Sequence, residues 1–102
     1  MSSSLLKLIS KFHDYIKYER QYSEHTIKNY LIDLTQFKSN FDTNDISEIN
    51  TAGLQDYISS LYKLGLDPST IARKKSSISS FFNFLCKKKI IEANPCKKLI
   101  SP

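Results

Sequence analysis

The sequence predicts an all-α domain, a compact orthogonal bundle of four helices. Apolar residues recur at helical spacing in four separate stretches, and no stretch reads as a strand. Only 2 Gly and 3 Pro among 102 residues leave few turn formers for hairpins. The connections between the four stretches are short, which suits a bundle. With 40% hydrophobic residues in 102, the chain can fill one core and is too short for two. No internal repeat or low-complexity linker divides it.

Ser4 is placed to cap a first helix in which Leu5, Leu8, Ile9, Phe12 and Ile16 form the buried stripe, with Lys7, Lys11, Asp14 and Lys17 mostly outside it. That helix is expected to end near Gln21. Ser23 caps a second, with Ile27, Tyr30, Leu31, Leu34, Phe37 and Phe41 buried and His25, Lys28, Asn29, Ile32 and Gln36 opposite. A polar interval from Asp42 to Asn50 carries Ile46 and Ile49, expected to plug the core from below. A third helix starts at Asn50 or Thr51, runs through Leu54, Tyr57, Ile58 and Leu61, and stops at Gly65.

The fourth helix has the clearest signals. Asp67 is the expected N-cap, and Pro68 at the first helical position needs no amide partner and already has helical φ. Ile71, Ile78, Phe81, Phe82 and Leu85 form the apolar face, while Arg73, Ser76, Ser80 and Asn83 fall opposite. Lys75 projects towards the core margin and has to snorkel. The cations Lys87, Lys88 and Lys89 complement the carbonyl end of the dipole, and Asn94 before Pro95 does not continue a helix.

The net charge of +5 is unevenly spread. Residues 1–66 carry seven Lys or Arg against eight Asp or Glu, and residues 67–102 carry eight against two. A positive field in the last third suits a nucleic acid or another polyanion, or simply a lysine-rich solvated face. Without a signal segment or an apolar run of membrane-spanning length, the chain is expected to be cytoplasmic with no membrane partner. Cys86 and Cys96 have no neighbouring His or Cys, so they read as reduced thiols and no metal is expected.

Independent catalysis is not expected. His13 and His25 lie on different helices, and no metal-protease, nucleophile-elbow or phosphate-loop motif is present, so no cofactor is implied. The six tyrosines sit at helical spacings as core-edge residues with wet hydroxyls.

With the helices placed, the chain resembles the N-terminal core-binding domain of tyrosine recombinases of the phage-integrase and Xer type. The opening carries the pattern through Phe12, Tyr15, Glu19, Ser23, Thr26, Tyr30, Asp33, Leu34 and Phe37. The close carries it through Ser69, Ile71, Arg73, Ser76, Phe81, Phe82, Phe84, Leu85, Asn94 and Pro95. The chain departs from the pattern at Lys75, where an apolar residue is usual, and at Ser79, where a cation is frequent. The resemblance implies a SAM-like fold over residues 1–95, with 96–102 beginning a linker to a C-terminal catalytic domain of the same full-length chain. It also implies that this part binds double-stranded DNA, nucleoid-associated when bound, and is not itself an enzyme. In such recombinases the two domains clamp duplex DNA, the second and fourth helices of this domain face the major groove, and other protomers assemble on paired sites. Exposed Leu6 and Tyr18 are candidates for protomer contact.

The outward residues near the starts of those two helices are the candidate DNA contacts: His25, Lys28 and Asn29 on the second, Thr70, Arg73, Lys74 and Ser77 on the fourth. Arg73 suits a base edge or a bidentate phosphate contact, while Lys28 and Lys74 suit phosphate as point charges. For Ser77, close helix packing competes with a phosphate bond, and for Asn29 adenine readout competes with simple solvation. On this reading Arg73→Ala with Lys74→Ala abolishes duplex binding and leaves folding intact. The alternatives are a small helical protein-interaction module that presents its basic face to an acidic partner, with Leu6 and Ile32 as apolar anchors, and an independent DNA-binding regulator.

Overall fold

Three of the four expected caps close on first-turn amides. The computed structural model describes residues 4–100, and the last two residues of the expected linker, Ser101 and Pro102, lie outside the described residues. Helix α1 (Leu5–Asp14) is capped by Ser4 Oγ accepting from Lys7 N, α2 (Glu24–Ser39) by Ser23 Oγ from Thr26 N, and α3 (Thr51–Lys63) by Asn50 Oδ1 from Gly53 N. Helix α4 (Pro68–Lys87) follows Asp67, whose carboxylate accepts from the Ser69 hydroxyl instead of a first-turn amide. Gly65, just past α3, has φ +80°, the left-handed position that glycine occupies without strain. Among the described residues the structure is all-α with no strand.

Beyond Asp14 the chain continues as one wider π-helical turn, Tyr15–Glu19, before the left-handed Gln21 at φ +52°. In it Arg20 N bonds to Tyr15 O at 3.0 Å, one residue further along than in an α-helix. This extra residue sets where the side chains from Tyr15 to Arg20 point.

Helix α4 is the hub, packed by α1, α2 and α3. Ile71, Ile78, Phe81, Phe82, Phe84 and Leu85 are buried, as are Leu5, Leu8, Ile9, Phe12 and Ile16 of the first helix and Ile46 and Ile49 below. Two aromatic groups fill the centre. Phe12 meets Tyr30, Phe81 and Phe84 with centroids 5.4–5.7 Å apart, and Phe37 meets Tyr57 and Phe82 at 6.0 and 6.1 Å. Full burial of each such ring contributes about 1.5–3 kcal/mol.

Past α4, Asn94 is buried and fastens the chain's return: its amide donates to Ser79 O at 3.2 Å and Asn83 Oδ1 at 2.9 Å, and its Oδ1 accepts from Cys96 N at 2.8 Å. A single 3₁₀ turn, Pro95–Lys98, then lies on α3. Thr51 Oγ1 donates to Pro95 O at 2.8 Å, and the Gln55 side chain bonds both the amide and the carbonyl of Ile100. Residues 95–100 are thus hydrogen-bonded to α3 as far as Ile100.

Candidate nucleic-acid interface

Helices α2 and α4 lie side by side in opposite senses, since Asp33 reaches Ser77 and Gln36 reaches Lys74. Between them is a buried polar cluster centred on Asp33, which has no solvent exposure. Its Oδ1 accepts from Arg73 Nη2 at 3.0 Å and Lys74 Nζ at 3.2 Å, and its Oδ2 accepts from Ser77 Oγ at 2.7 Å; Lys74 also donates to the Gln36 amide oxygen. A buried carboxylate is tolerated only when paired and hydrogen-bonded in this way. Its neighbour Tyr57 feels the same environment: burial and the Asp33 charge together push its hydroxyl above the ordinary 10.0.

Two cations meet one carboxylate here, so a positive charge is left over. The Lys74 side chain is 6% exposed and that of Arg73 is 47%. The surplus charge therefore faces solvent through the Arg73 guanidinium, which is held at one nitrogen by Asp33.

Two of the seven expected contact residues do not face outward. Lys74 and Ser77 are buried, turned into the interface where, with Arg73, they balance the charge and lone pairs of Asp33. The expectation that Arg73→Ala with Lys74→Ala spares folding is overturned with them, because Asp33 would be left buried with one hydroxyl partner. Lys75, half-buried, sits at the core margin as its position on the helix predicts. His25 and Lys28 are exposed at the start of α2, and Asn29 is half-buried with Nδ2 3.3 Å from His25 Nε2. Thr70 is half-buried at the start of α4. Because the helices are antiparallel, these two starts lie at opposite ends of the pair. The candidates do not converge on one point, and Lys28 lies in the groove between α1 and α2.

At the α2-start end lies a cleft of about 290 Å³ lined by Tyr15, Arg20, Tyr22, Tyr30, Ser80, Asn83 and Lys87, together with the apolar Phe12, Ile16 and Phe84. Lys87 Nζ is 3.3 Å from the Tyr15 hydroxyl and 5.2 Å from its ring centroid. Hydrogen bonds from Arg20 and Lys87 hold the Tyr15 hydroxyl below the ordinary 10.0. The sequence does not single out Arg20, because the π turn carries it off the helical periodicity. It does place Ser80 and Asn83 on the face opposite the core.

The model of the phage integrase N-terminal SAM-like domain matches residues 9–89. The chain belongs to this family. It is 36% identical over 94 residues to the tyrosine recombinase XerC of Lacticaseibacillus casei, covering 88% of this chain and 32% of that protein. To the XerC of Syntrophus aciditrophicus it is 36% identical over 106 residues (94% and 34%), and to that of Bacillus subtilis 33% over 90 residues (85% and 30%). The chain spans about a third of the length of these curated relatives. No solved structure matches it significantly.

Within this integrase domain, the residues that carry the resemblance divide by task. Phe12, Leu34, Phe37, Phe81, Phe82, Phe84 and Leu85 build the core, Ser23 caps α2, and Asn94 locks the return. Asp33 and Arg73 form one ion pair across forty residues of chain. Among the described residues no cluster of His, Cys, Asp or Glu could hold a metal, and no helix is long and apolar enough to cross a membrane.

Proposed function

We propose that this domain grips duplex DNA from one side as the DNA-binding part of a site-specific tyrosine recombinase, with strand cleavage and exchange performed by a C-terminal domain of the full-length chain. Other recombinase protomers on DNA are the remaining partners. The observation that carries this reading is the surplus charge at Asp33: a guanidinium fixed at one nitrogen and half exposed to solvent. A pre-oriented fork of that kind suits a guanine edge or a phosphate better than a freely rotating lysine. His25 and Lys28 at one end of the helix pair and Thr70 at the other supply further contacts, with Asn29 between. Buried Lys74 and Ser77 act by holding Asp33, and so Arg73, in place. The connection to the catalytic part leaves from the α3 side, where residues 95–100 are tied down.

A fluorescent duplex of about 30 base pairs, titrated at several salt concentrations with an acidic polymer as competitor, tests this. Neutralising four to six phosphates gives a slope of log affinity on log salt of roughly −4 to −5. Arg73→Gln is expected to weaken binding about tenfold while the domain stays folded. Absence of duplex binding at low salt refutes the reading. Equal binding to the acidic polymer favours instead a protein-interaction module. For that second reading the supporting feature is the open groove between α1 and α2, where half-exposed Ile32 lies with Ile27 and Leu31 near Lys17 and Lys28.

A further inference from the structure

We infer that the cleft between the π turn and the end of α4 is a second anchoring point for nucleic acid, one that takes a single backbone phosphate on Arg20, Lys87 and Tyr15. This deepens the DNA-binding reading above and rests on it. The groups that line the cleft differ in what they can still accept or donate. The Tyr15 oxygen receives a hydrogen bond from Lys87 at 3.3 Å, which leaves its own proton available to a ligand in the cleft. The Asn83 oxygen is occupied by the buried Asn94 amide at 2.9 Å, which fixes the side-chain orientation and leaves the Asn83 NH₂ as a donor. Arg20 and Lys87 carry no acceptors at all. No carboxylate lines the cleft, and among the described residues neither cation has a carboxylate within ion-pair distance.

A small concavity furnished with two unneutralised cations and donors whose acceptor ends are already occupied is complementary to an anion. Its volume, about 290 Å³, is at the small end for ligand sites and suits a sugar-phosphate unit better than an extended ligand. Tyr15 packs against Phe84 at 4.9 Å between centroids, so the donors stand on a rigid aromatic floor.

Position along α4 explains why a phosphate and not a base is taken there. Arg73 and Lys87 are fourteen residues apart on one helix, about 21 Å of rise. The major groove is about 12 Å wide. A helix presenting Arg73 at the base edges therefore carries Lys87 out to the backbone at the rim. The Arg20–Lys87 cleft then fixes the angle of α4 in the groove, and Arg73 reads within it.

The test compares the 102-residue chain with Arg20→Gln/Lys87→Gln, with Tyr15→Phe, and with Lys97→Gln/Lys98→Gln as a control that removes the same charge elsewhere. Each is titrated against the same duplex across salt concentrations, with far-UV circular dichroism to verify folding. The cleft variant is expected to lose about tenfold in affinity and to flatten the salt slope by about one, the signature of one phosphate contact. Tyr15→Phe, which keeps the ring, is expected to lose about threefold, and the control less than twofold. If wild-type protein binds duplex and the cleft variant binds with unchanged slope, or if the control loses as much as the cleft variant, the inference is wrong and the DNA-binding reading survives it. If wild-type protein fails to bind, both fall together.

Discussion

Removing Lys74 should destabilise the domain, and removing Asp33 along with it should add little further loss. Lys74→Met keeps the aliphatic stem and deletes the ammonium that meets Asp33 at 3.2 Å. Breaking a buried pair by deleting one partner costs about 3–5 kcal/mol when the other charge is left uncompensated. Here Asp33 retains Arg73 at 3.0 Å and Ser77 at 2.7 Å, which lowers the expected cost to about 2 kcal/mol. Asp33→Asn leaves the 6%-exposed Lys74 with only neutral partners, the Gln36 amide and the carboxamide that replaces the carboxylate, and about 3 kcal/mol is expected. The double variant buries no charge, so its cost should stay near 2 kcal/mol instead of reaching the additive value of about 5, a coupling of about 3 kcal/mol. Urea unfolding followed by circular dichroism measures all three. With a slope of roughly 1–1.5 kcal/mol/M for a domain of this size, the single variants shift the midpoint by about 1.3–3 M. Additivity within 0.5 kcal/mol, or a Lys74→Met variant as stable as wild type, would refute a buried charge cluster between α2 and α4.

Two further outcomes follow from the return segment. Asn94→Ala strands the buried Cys96 amide and removes the donor to Ser79 and Asn83, and a loss of about 1–3 kcal/mol is expected in the same urea assay; a loss under 0.5 kcal/mol contradicts the anchoring role. Burial pushes the Cys96 thiol up to about 12 from the ordinary 9.0. The folded protein therefore holds that proton longer than the unfolded chain, and the stability it gives is complete below pH 9 and lost as pH rises towards 12. The drop in urea midpoint between pH 8 and pH 11 should be smaller in Cys96→Ala than in wild type, and an equal drop means that the thiol does not titrate with unfolding.

The four helices and their limits were legible because each carries its own local signals. Ser23, Asn50 and Gly65 act within a few residues of where they stand, and the apolar stripe of α4 needs only a 3.6-residue period. What the sequence could not reveal depends on partners far along the chain. Lys74 and Ser77 read as outward because a helical wheel sorts residues by polarity, and polarity does not distinguish a side chain facing water from one facing a buried carboxylate. Asp33 stands within the family pattern, yet its pairing with residues forty positions later is a tertiary fact. Arg20 escaped for a different reason: the π turn shifts the chain by one residue, so α-helical spacing counted forward from Phe12 and Ile16 misplaces Arg20.

The polar cluster also bears on why α2 and α4 are joined as they are. An apolar seam between the two helices would be at least as stable, since buried ion pairs often contribute little net energy relative to well-packed hydrophobic residues. An apolar seam would also tolerate small rotations of one helix on the other, because dispersion contacts are non-directional. Asp33 tolerates less: its two oxygens are shared among three donors on consecutive turns of α4, at 2.7–3.2 Å, and a rotation that breaks one bond leaves a buried charge short of a partner. The cluster thereby fixes the relative rotation of the two helices. Arg73 is its charged member that reaches solvent, so the same bonds that orient α2 against α4 also orient the guanidinium outside. In this domain, holding the scaffold and aiming the contact residue are a single set of hydrogen bonds.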